Sequence, residues 1–311
     1  MIDFSHEKAG MITFKQLEAL YWIAELGSFE TAANKLYMSQ SAISKRIQEL
    51  EDSFGVQLFD RSKRQARLTE KGNELLEYAK ELLEKRDLLV ERVSSSEVLI
   101  KRFRLGVTEL TALTWLPTLV ERIRQIYPKV NIEPSVELSS DLFRKLGEDQ
   151  LDLIIIPDVY DDARFVVTPL KTVENAWMCA PHLAPARSPI GLEELGTYTV
   201  LTQGSSSGTG LVYERWLSSH NVQMPRTLTS HNLLVQVGLT LSGLGISYLP
   251  KQCLSHLVDA GTLSIISTQP GLPLIRYAAL YRLDRQMGLN GHVAQIAQKS
   301  CDFSHLLLNR F

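Results

Sequence analysis

The chain of 311 residues carries 33 Lys and Arg against 35 Asp and Glu, a formal net charge of −2. That balance excludes nucleic-acid binding through bulk charge, so any such affinity has to come from a local basic surface. The apolar and charged fractions, 44% and 22%, are those of a soluble globular chain, long enough for two or three domains with cores of their own.

No apolar segment precedes a cleavage site and no run reaches membrane-spanning length, so a cytoplasmic protein without membrane contact is expected. Cys179, Cys253 and Cys301 are far apart, odd in number and without metal-ligand spacing, and the histidines show no paired spacing either. Buried, reduced thiols are expected, with no metal and no cofactor.

Met1 to Gly10 reads as an extension ahead of the first element. Phe14 to Ala24 repeats apolar residues at helical spacing, and Gly27 ends that helix. Ser28 caps a short helix, Phe29 to Leu36, which carries Ala32 and Ala33 on one face. After the turn Tyr37-Met38, Ser39 caps a second helix from Gln40 to Glu51. Ile43, Ile47 and Leu50 make its buried stripe, so Gln40, Ser41, Ser44, Lys45 and Arg46 project from the exposed side and the N-terminal end. Small alanines let the two helices cross closely, the geometry of a helix-turn-helix with its second helix in a major groove. Gly55 to Phe59 returns to the core, and Asp60 to Leu68 is a short basic hairpin or wing suited to phosphate neutralisation. The expected DNA-facing set is Ser28, Thr31, Ser39, Gln40, Ser41, Ser44, Lys45 and Arg46, with Arg61, Lys63, Arg64 and Arg67 from the wing.

Gln16-Leu17, Phe29-Glu30-Thr31-Ala32-Ala33, Ser39-Gln40-Ser41-Ala42-Ile43-Ser44, Ile47, Leu50-Glu51, Gly55 to Phe59, Arg61 and Leu68-Thr69 together resemble the winged helix-turn-helix of the LysR-type transcriptional regulator family. The resemblance spans the whole N-terminal domain, 11–68. It departs at Ser41, where family members commonly have proline, and serine is also acceptable early in a helix.

Thr69 then caps a helix running to about Val98, the linker segment 69–98. Leu75, Leu82 and Leu89 recur every seven residues, with Leu76, Leu83 and Val90 in a parallel row. Such a stripe can pack within its own domain or against another subunit. The resemblance implies the second, a dimerisation helix that presents two recognition helices to a pseudo-palindromic operator on double-stranded DNA. It also implies a homodimer or a homotetramer.

From 103 to 311 strands and helices alternate. Phe103–Val107, Val130–Val136 and Asp152–Ile156 are expected strands separated by helices at Trp115–Ile126 and Asp141–Leu146, a βαβαβ unit. Val166–Leu170 and Asn175–Cys179 are expected strands, and the proline-rich Pro181–Pro189 is the expected crossing to another lobe. Thr197–Leu201 is a strand, followed by helices at Gly210–Ser218 and Leu233–Leu241. Gly243 to Pro250 is a turn and strand, Leu274–Leu283 is a strand that the resemblance implies returns to the first lobe, and a helix closes from His292. The resemblance implies a two-lobed α/β effector domain of the type-2 periplasmic-binding-protein fold, lobe I at about 103–177 and 273–303, lobe II at about 178–272.

Ligands of such sheets lie beyond strand C-termini, at loops and helix N-termini. That selects Thr108, Glu109 and Thr111, Ser139 and Ser140, Gln203, Ser205 and Ser206, and Ser230, His231 and Asn232, with Gly245 and Ile246 in a family-like turn. Their hydroxyls and free backbone N–H groups suit a small carboxylate or similar polar metabolite; Glu109 argues against a simple anion beside it and could instead meet an amine, which leaves the ligand's charge open. Gly204-Ser205-Ser206-Ser207-Gly208 also matches the G-x-S-x-G elbow, with Asp259 and His292 following in hydrolase order. A serine hydrolase using Ser206 is therefore one alternative, although no oxyanion-hole signature precedes the motif. A solute-binding protein is another, which accounts for two lobes but not for the basic wing. The expected function is a DNA-binding regulator and not an enzyme.

Overall fold

The computed structural model of the chain describes residues 12–60, 66–93, 101–285 and 288–307. It divides into two units, Met1–Val98 and Leu99–Phe311.

In the first unit, α1 (Phe14–Leu26) opens on a reciprocal cap: Gln16 N–H donates to Thr13 Oγ1 and Thr13 N–H to Gln16 Oε1. Gly27 ends it in the left-handed conformation (φ 68°) that a Cβ disfavours. α2 (Phe29–Lys35) and α3 (Gln40–Phe54) follow, capped by Ser28 and Ser39. Ala32, Ala33, Ile43, Ile47 and Leu50 are buried, the close crossing that the alanines allow. β1 (Phe59–Asp60) pairs antiparallel with β2 (Arg67–Leu68) as the stem of the wing. Glu51, at the end of α3, is buried and accepts from Leu58 N–H at 2.8 Å, which ties the recognition helix to that stem.

α4 (Glu70–Val93) has 24 residues, about 36 Å at 1.5 Å per residue. Leu76, Ala79 and Leu83 are buried, and α4 packs along α1 with Arg86 paired to Glu18 and Lys80 to Glu25. This corrects the expectation of two leucine rows facing another subunit. The row through Leu76 and Leu83 is covered by the chain's own α1, because α1 presents an apolar face that the three-helix motif alone does not cover. Leu82 and Leu89 remain 45% and 62% exposed, beside exposed Tyr78 and half-buried Leu75. The side chain of Val90 lies outside the described residues.

In the second unit β3 (Lys101–Val107) leads to α5 (Glu109–Thr114) and α6 (Leu116–Ile126). The helix expected at Trp115–Ile126 is α6, and α5 ahead of it is an element the sequence reading did not give. The two helices meet at Trp115, which is buried edge-on against Phe303, and Pro117 stands in the first turn of α6, where its missing N–H costs nothing. β4 (Val130–Val136), α7 (Ser139–Gly147), β5 (Leu153–Pro157) and β6 (Phe165–Val173) continue the lobe. Ser139 and Ser140 thus open α7 rather than precede it. β7 (Asn175–Cys179), β8 (Ile190–Gly191), α8 (Leu192–Leu195), β9 (Val200–Thr202), α9 (Gly208–Ser219), β10 (Thr227–Thr229), α10 (Leu233–Leu241), β11 (Ile246–Pro250), α11 (Ser255–Asp259), β12 (Ser264–Ile266) and β13 (Thr268–Gln269) follow. β14 (Ile275–Arg282) and α12 (Leu289–Ser300) close the chain.

Two five-stranded sheets result, ordered β4-β3-β5-β14-β6 and β10-β9-β11-β7-β12. β3 lies parallel between β4 and β5, and β9 parallel between β10 and β11, while the strands that arrive from the other lobe run antiparallel. β5 and β11 are buried along their whole length, as strands covered on both faces must be. The crossing between lobes lies at Glu174, between β6 and β7, and not at Pro181–Pro189. Asn175–Cys179 pairs with β11 and β12 of the second sheet, so the lobe change comes before this strand rather than after it. The prolines stand in a surface connection within lobe II. The second crossing precedes β14, which returns to pair with β5 and β6.

Candidate DNA-reading surface and effector cleft

On the first unit, Gln40, Ser41, Ser44 and Lys45 are exposed on α3 opposite its buried stripe, and Arg46 is half-buried. The serines and Thr31 divide their work between surface and backbone. Ser28 Oγ accepts from Thr31 N–H, Thr31 Oγ1 donates to Ser28 O at 3.1 Å, and Ser39 Oγ accepts from Ala42 N–H at 3.2 Å while lying 3.0 Å from Ser41 Oγ. Ser28 and Ser39 thus fix where α2 and α3 begin, and Gln40 and Lys45 are long, exposed side chains on α3. Lys45 meets Glu49 only at 3.9 Å, a loose surface pair that holds the lysine weakly. Arg67 is exposed on β2; Arg61, Lys63 and Arg64 lie outside the described residues.

In the second unit a cavity of about 480 Å³ opens between the lobes, at the C-terminal ends of β3, β4 and β5. Of the effector residues expected from sequence, Thr108, Glu109, Ser139, Gln203, Ser230, His231 and Asn232 line it. The others do not. Thr111 is buried inside α5, and Ile246 within β11. Gly245 is required by packing, since a Cβ there would meet Thr199 O at 2.3 Å. Ser140 and Ser206 hold one another through the backbone, Ser140 N–H donating to Ser206 O, and Ser205 is exposed away from the cavity.

The sequence reading missed Ser207, Thr209, Asn175, Glu137 and Tyr277, which also line the cleft. Ser207 had a signal: as the N-cap of α9 it accepts from Gly210 N–H, and its Oγ donates to Gln203 Oε1 at 2.8 Å. Asn175 and Tyr277 had none, because they stand where the chain changes sheets. Burial pushes the Tyr277 phenol up to about 12, so it enters the cleft as a neutral hydroxyl beside Thr108 and Thr209.

Three hydrogen bonds bridge the lobes. Glu109 Oε2 accepts from Leu233 N–H at 2.5 Å, at the start of α10; Ser139 Oγ accepts from Gly208 N–H at 3.0 Å, at the start of α9; and Ser140 N–H donates to Ser206 O at 3.2 Å. At Gly208 the lobes press together closely enough that a Cβ would stand 2.9 Å from Pro157.

The geometry does not assemble a hydrolase. Ser206 contributes its carbonyl to the lobe contact, and neither it nor Asp259 or His292 lines the cavity. His292 sits on α12 with its ring edge-on to Tyr127 and hydrogen-bonded to the Tyr127 hydroxyl. The three thiols are buried, and burial pushes Cys179 and Cys301 up to about 11 and Cys253 up to about 12, so none is a reactive thiolate near neutrality. Among the described residues no cluster could hold a metal ion, and no helix is long and apolar enough to cross a membrane.

Residues 14–73 match the profile described as bacterial regulatory helix-turn-helix protein, lysR family, and residues 96–291 match the LysR substrate binding domain. The chain is 29% identical over 256 residues to the HTH-type transcriptional regulator YeiE of Escherichia coli K12, covering 82% of this chain and 86% of that one. It is 26% identical to the SDS degradation transcriptional activation protein of a Pseudomonas species, covering 84% and 87%. Among solved structures, an OxyR C206 mutant of Corynebacterium glutamicum superposes with a TM-score of 0.55 at 22% identity over 94% of each chain. Full-length BenM does so with a TM-score of 0.54 at 21% identity, over 92% and 96%. Both carry the same fold. These relatives are regulators and not enzymes, and with a lysR helix-turn-helix followed by a LysR substrate-binding domain, the chain belongs to the LysR family of transcriptional regulators.

Proposed function

We propose that the chain binds a pseudo-palindromic operator as a twofold oligomer and that a small polar metabolite, held in the interlobe cleft, sets how it does so. The observation that carries this reading is the cleft itself: a 480 Å³ cavity lined by both lobes and spanned by the Glu109–Leu233, Ser139–Gly208 and Ser140–Ser206 hydrogen bonds. A ligand held between Thr108, Ser139 and Gln203 touches both lobes, so it favours the lobe arrangement that these bonds hold over a more open one. Differential affinity is what an effector needs in order to shift an equilibrium.

On the DNA side, Gln40 and Lys45 read bases, while Arg67 with Arg61, Lys63 and Arg64 neutralise phosphates. Subunits pair through the outer stripe of α4, Leu75, Tyr78, Leu82 and Leu89. A second contact between copies, which would make a tetramer, uses α10. Its outward face is Leu234, Val235, Gly238 and Leu241, all exposed, and Gly238 has nothing within 4 Å of where a Cβ would stand. Glycine inside a helix is about 1 kcal/mol worse than alanine, a cost explained if another backbone approaches there. The regulator is expected to act in the cytoplasm.

Selecting bound fragments from genomic DNA with the purified full chain tests the reading. A shared inverted repeat among the enriched fragments, with occupancy that a cleft ligand changes, is the expected result. Uniform retention of unrelated DNA would overturn it.

A further inference from the structure

Charge inside the cleft decides what kind of molecule it takes. Among the described lining residues there is no lysine and no arginine, while two carboxylates, Glu109 and Glu137, are present. Glu137 is neutralised by Lys145 Nζ at 2.6 Å. Glu109 forms no ion pair among the described residues; its one hydrogen bond is the backbone N–H of Leu233, which uses a single lone pair of a group able to accept about four. The imidazole of His231 is engaged through Nδ1 with Gln203 O at 2.7 Å. A half-buried carboxylate thus faces the cavity with the α10 N-terminus, and no cationic side chain among the described residues, beside it.

A second acceptor is unmet at the same wall. Asn175 is 7% exposed, lines the cavity, and its Oδ1 has no donor. Asn175 Nδ2 donates to Tyr213 Oη at 2.9 Å, and Tyr213 Oη donates in turn to Pro273 O at 3.2 Å. In this arrangement Oδ1 and not the NH₂ is left over. Buried acceptors without donors are few in folded proteins and call for an account. The rest of the wall is neutral, with hydroxyls at Thr108, Ser139 and Thr209 and apolar surface from Leu138, Pro157 and Val173.

We infer that the effector is a small molecule bearing a protonated amine, with Glu109 as its counterion and Asn175 Oδ1 as a further acceptor for an N–H group. The inference rests on the cleft being the effector site. An oxyanion would enter a cavity whose only unpaired charge is negative and whose α10 N-terminus is already occupied by Glu109. A cation supplies the donor that Asn175 Oδ1 lacks and a charged partner for the second oxygen of Glu109. The Glu109–Leu233 bond holds one carboxylate oxygen, which aims the group and leaves the other oxygen for the ligand.

Thermal melting of the full chain tests this with ethanolamine, putrescine, glycine and lysine against acetate, succinate, sulfate and inorganic phosphate at equal ionic strength, since a ligand of the folded state raises the melting temperature. At least one amine should stabilise the wild type at millimolar concentration. Glu109→Gln, which keeps an acceptor for Leu233 N–H but loses the charge, should weaken that amine at least tenfold. Val136→Trp fills the cavity from a half-exposed position at the end of β4 and should abolish the response. Stabilisation by the anions and not the amines, silence from every amine, or an amine response unchanged in Glu109→Gln would overturn the amine assignment. A response that survives Val136→Trp would instead remove the cleft as the effector site.

Discussion

Two leucines one position apart on α4 are expected to do different work, and this makes the linker helix testable. Leu83 is 1% exposed against α1, whereas Leu82 and Leu89 are 45% and 62% exposed. Full burial of a leucine side chain is worth about 1.5–3 kcal/mol. Scaled by the fraction still exposed, Leu82 has about 0.7–1.4 kcal/mol to gain in a dimer seam and Leu89 about 0.9–1.9 kcal/mol. Two copies of each leucine bring the contribution to about 3–6 kcal/mol per dimer, or roughly 10²- to 10⁴-fold in Kd. Leu82→Glu with Leu89→Glu should therefore raise the dimer Kd by at least that factor, more if the carboxylates stay unpaired. Leu83→Ala instead opens a cavity inside one unit, at about 2–5 kcal/mol, and should lower the melting temperature without weakening association. Sedimentation velocity over a concentration series reads the first effect, and melting at a fixed high concentration reads the second. Dissociation by Leu83→Ala as large as that of the double glutamate, or normal sedimentation of the double glutamate, would refute the division of α4 into an inner and an outer face.

Local rules made much of this molecule legible. Thr13, Ser28 and Ser39 are caps, Gly27 and Gly55 are left-handed stops, and Ile43, Ile47 and Leu50 are a buried stripe, because each is settled within about one helical turn of its own position. What the sequence did not disclose depends on distant partners. Leu76 and Leu82 look equivalent in a heptad pattern; only the packing of α1 distinguishes them. Asn175 reads as an ordinary strand residue, and becomes a cleft residue because the chain changes sheets at Glu174. The serine loop shows both sides. Strand-end reasoning brought Gln203 and the Ser205–Ser206 pair forward, yet Ser207 is the serine that turns inward, since it caps α9 while Ser206 gives its carbonyl to Ser140. Glu51 is legible only as part of the family pattern: nothing local tells a glutamate near a helix end to be buried, and here it is buried to satisfy Leu58 N–H at the foot of the wing.

Further expectations concern each working surface. Gln40→Ala should relax base preference at one position of each half-site by about 1–3 kcal/mol if its contact is bidentate, whereas Arg67→Ala should weaken specific and unrelated DNA alike and flatten the salt slope; binding titrations at several salt concentrations separate the two. Val235→Glu, on the exposed face of α10, should convert any tetramer to dimers in light scattering without lowering the melting temperature, and an unchanged mass distribution in a tetrameric preparation would remove α10 from the interface. Asp152 gives the pH expectation. It is buried, which alone would raise its pKa, but three hydrogen bonds from Arg104, at 2.8–3.1 Å, and one from Arg285 at 3.1 Å outweigh burial and hold its carboxyl below the usual carboxylate range. A depressed folded-state pKa contributes stability that is fully present above the unfolded value of about 3.9 and is lost as pH falls through the folded value. Asp152→Asn should therefore cost the second unit stability at pH 7, about 3 kcal/mol since the two guanidinium groups it strands are partly solvated. The deficit should shrink as the wild type is titrated below pH 4, where its own carboxylate protonates. A deficit that stays constant from pH 7 down to pH 3 would mean that Asp152 stabilises the lobe by its shape and not by its charge.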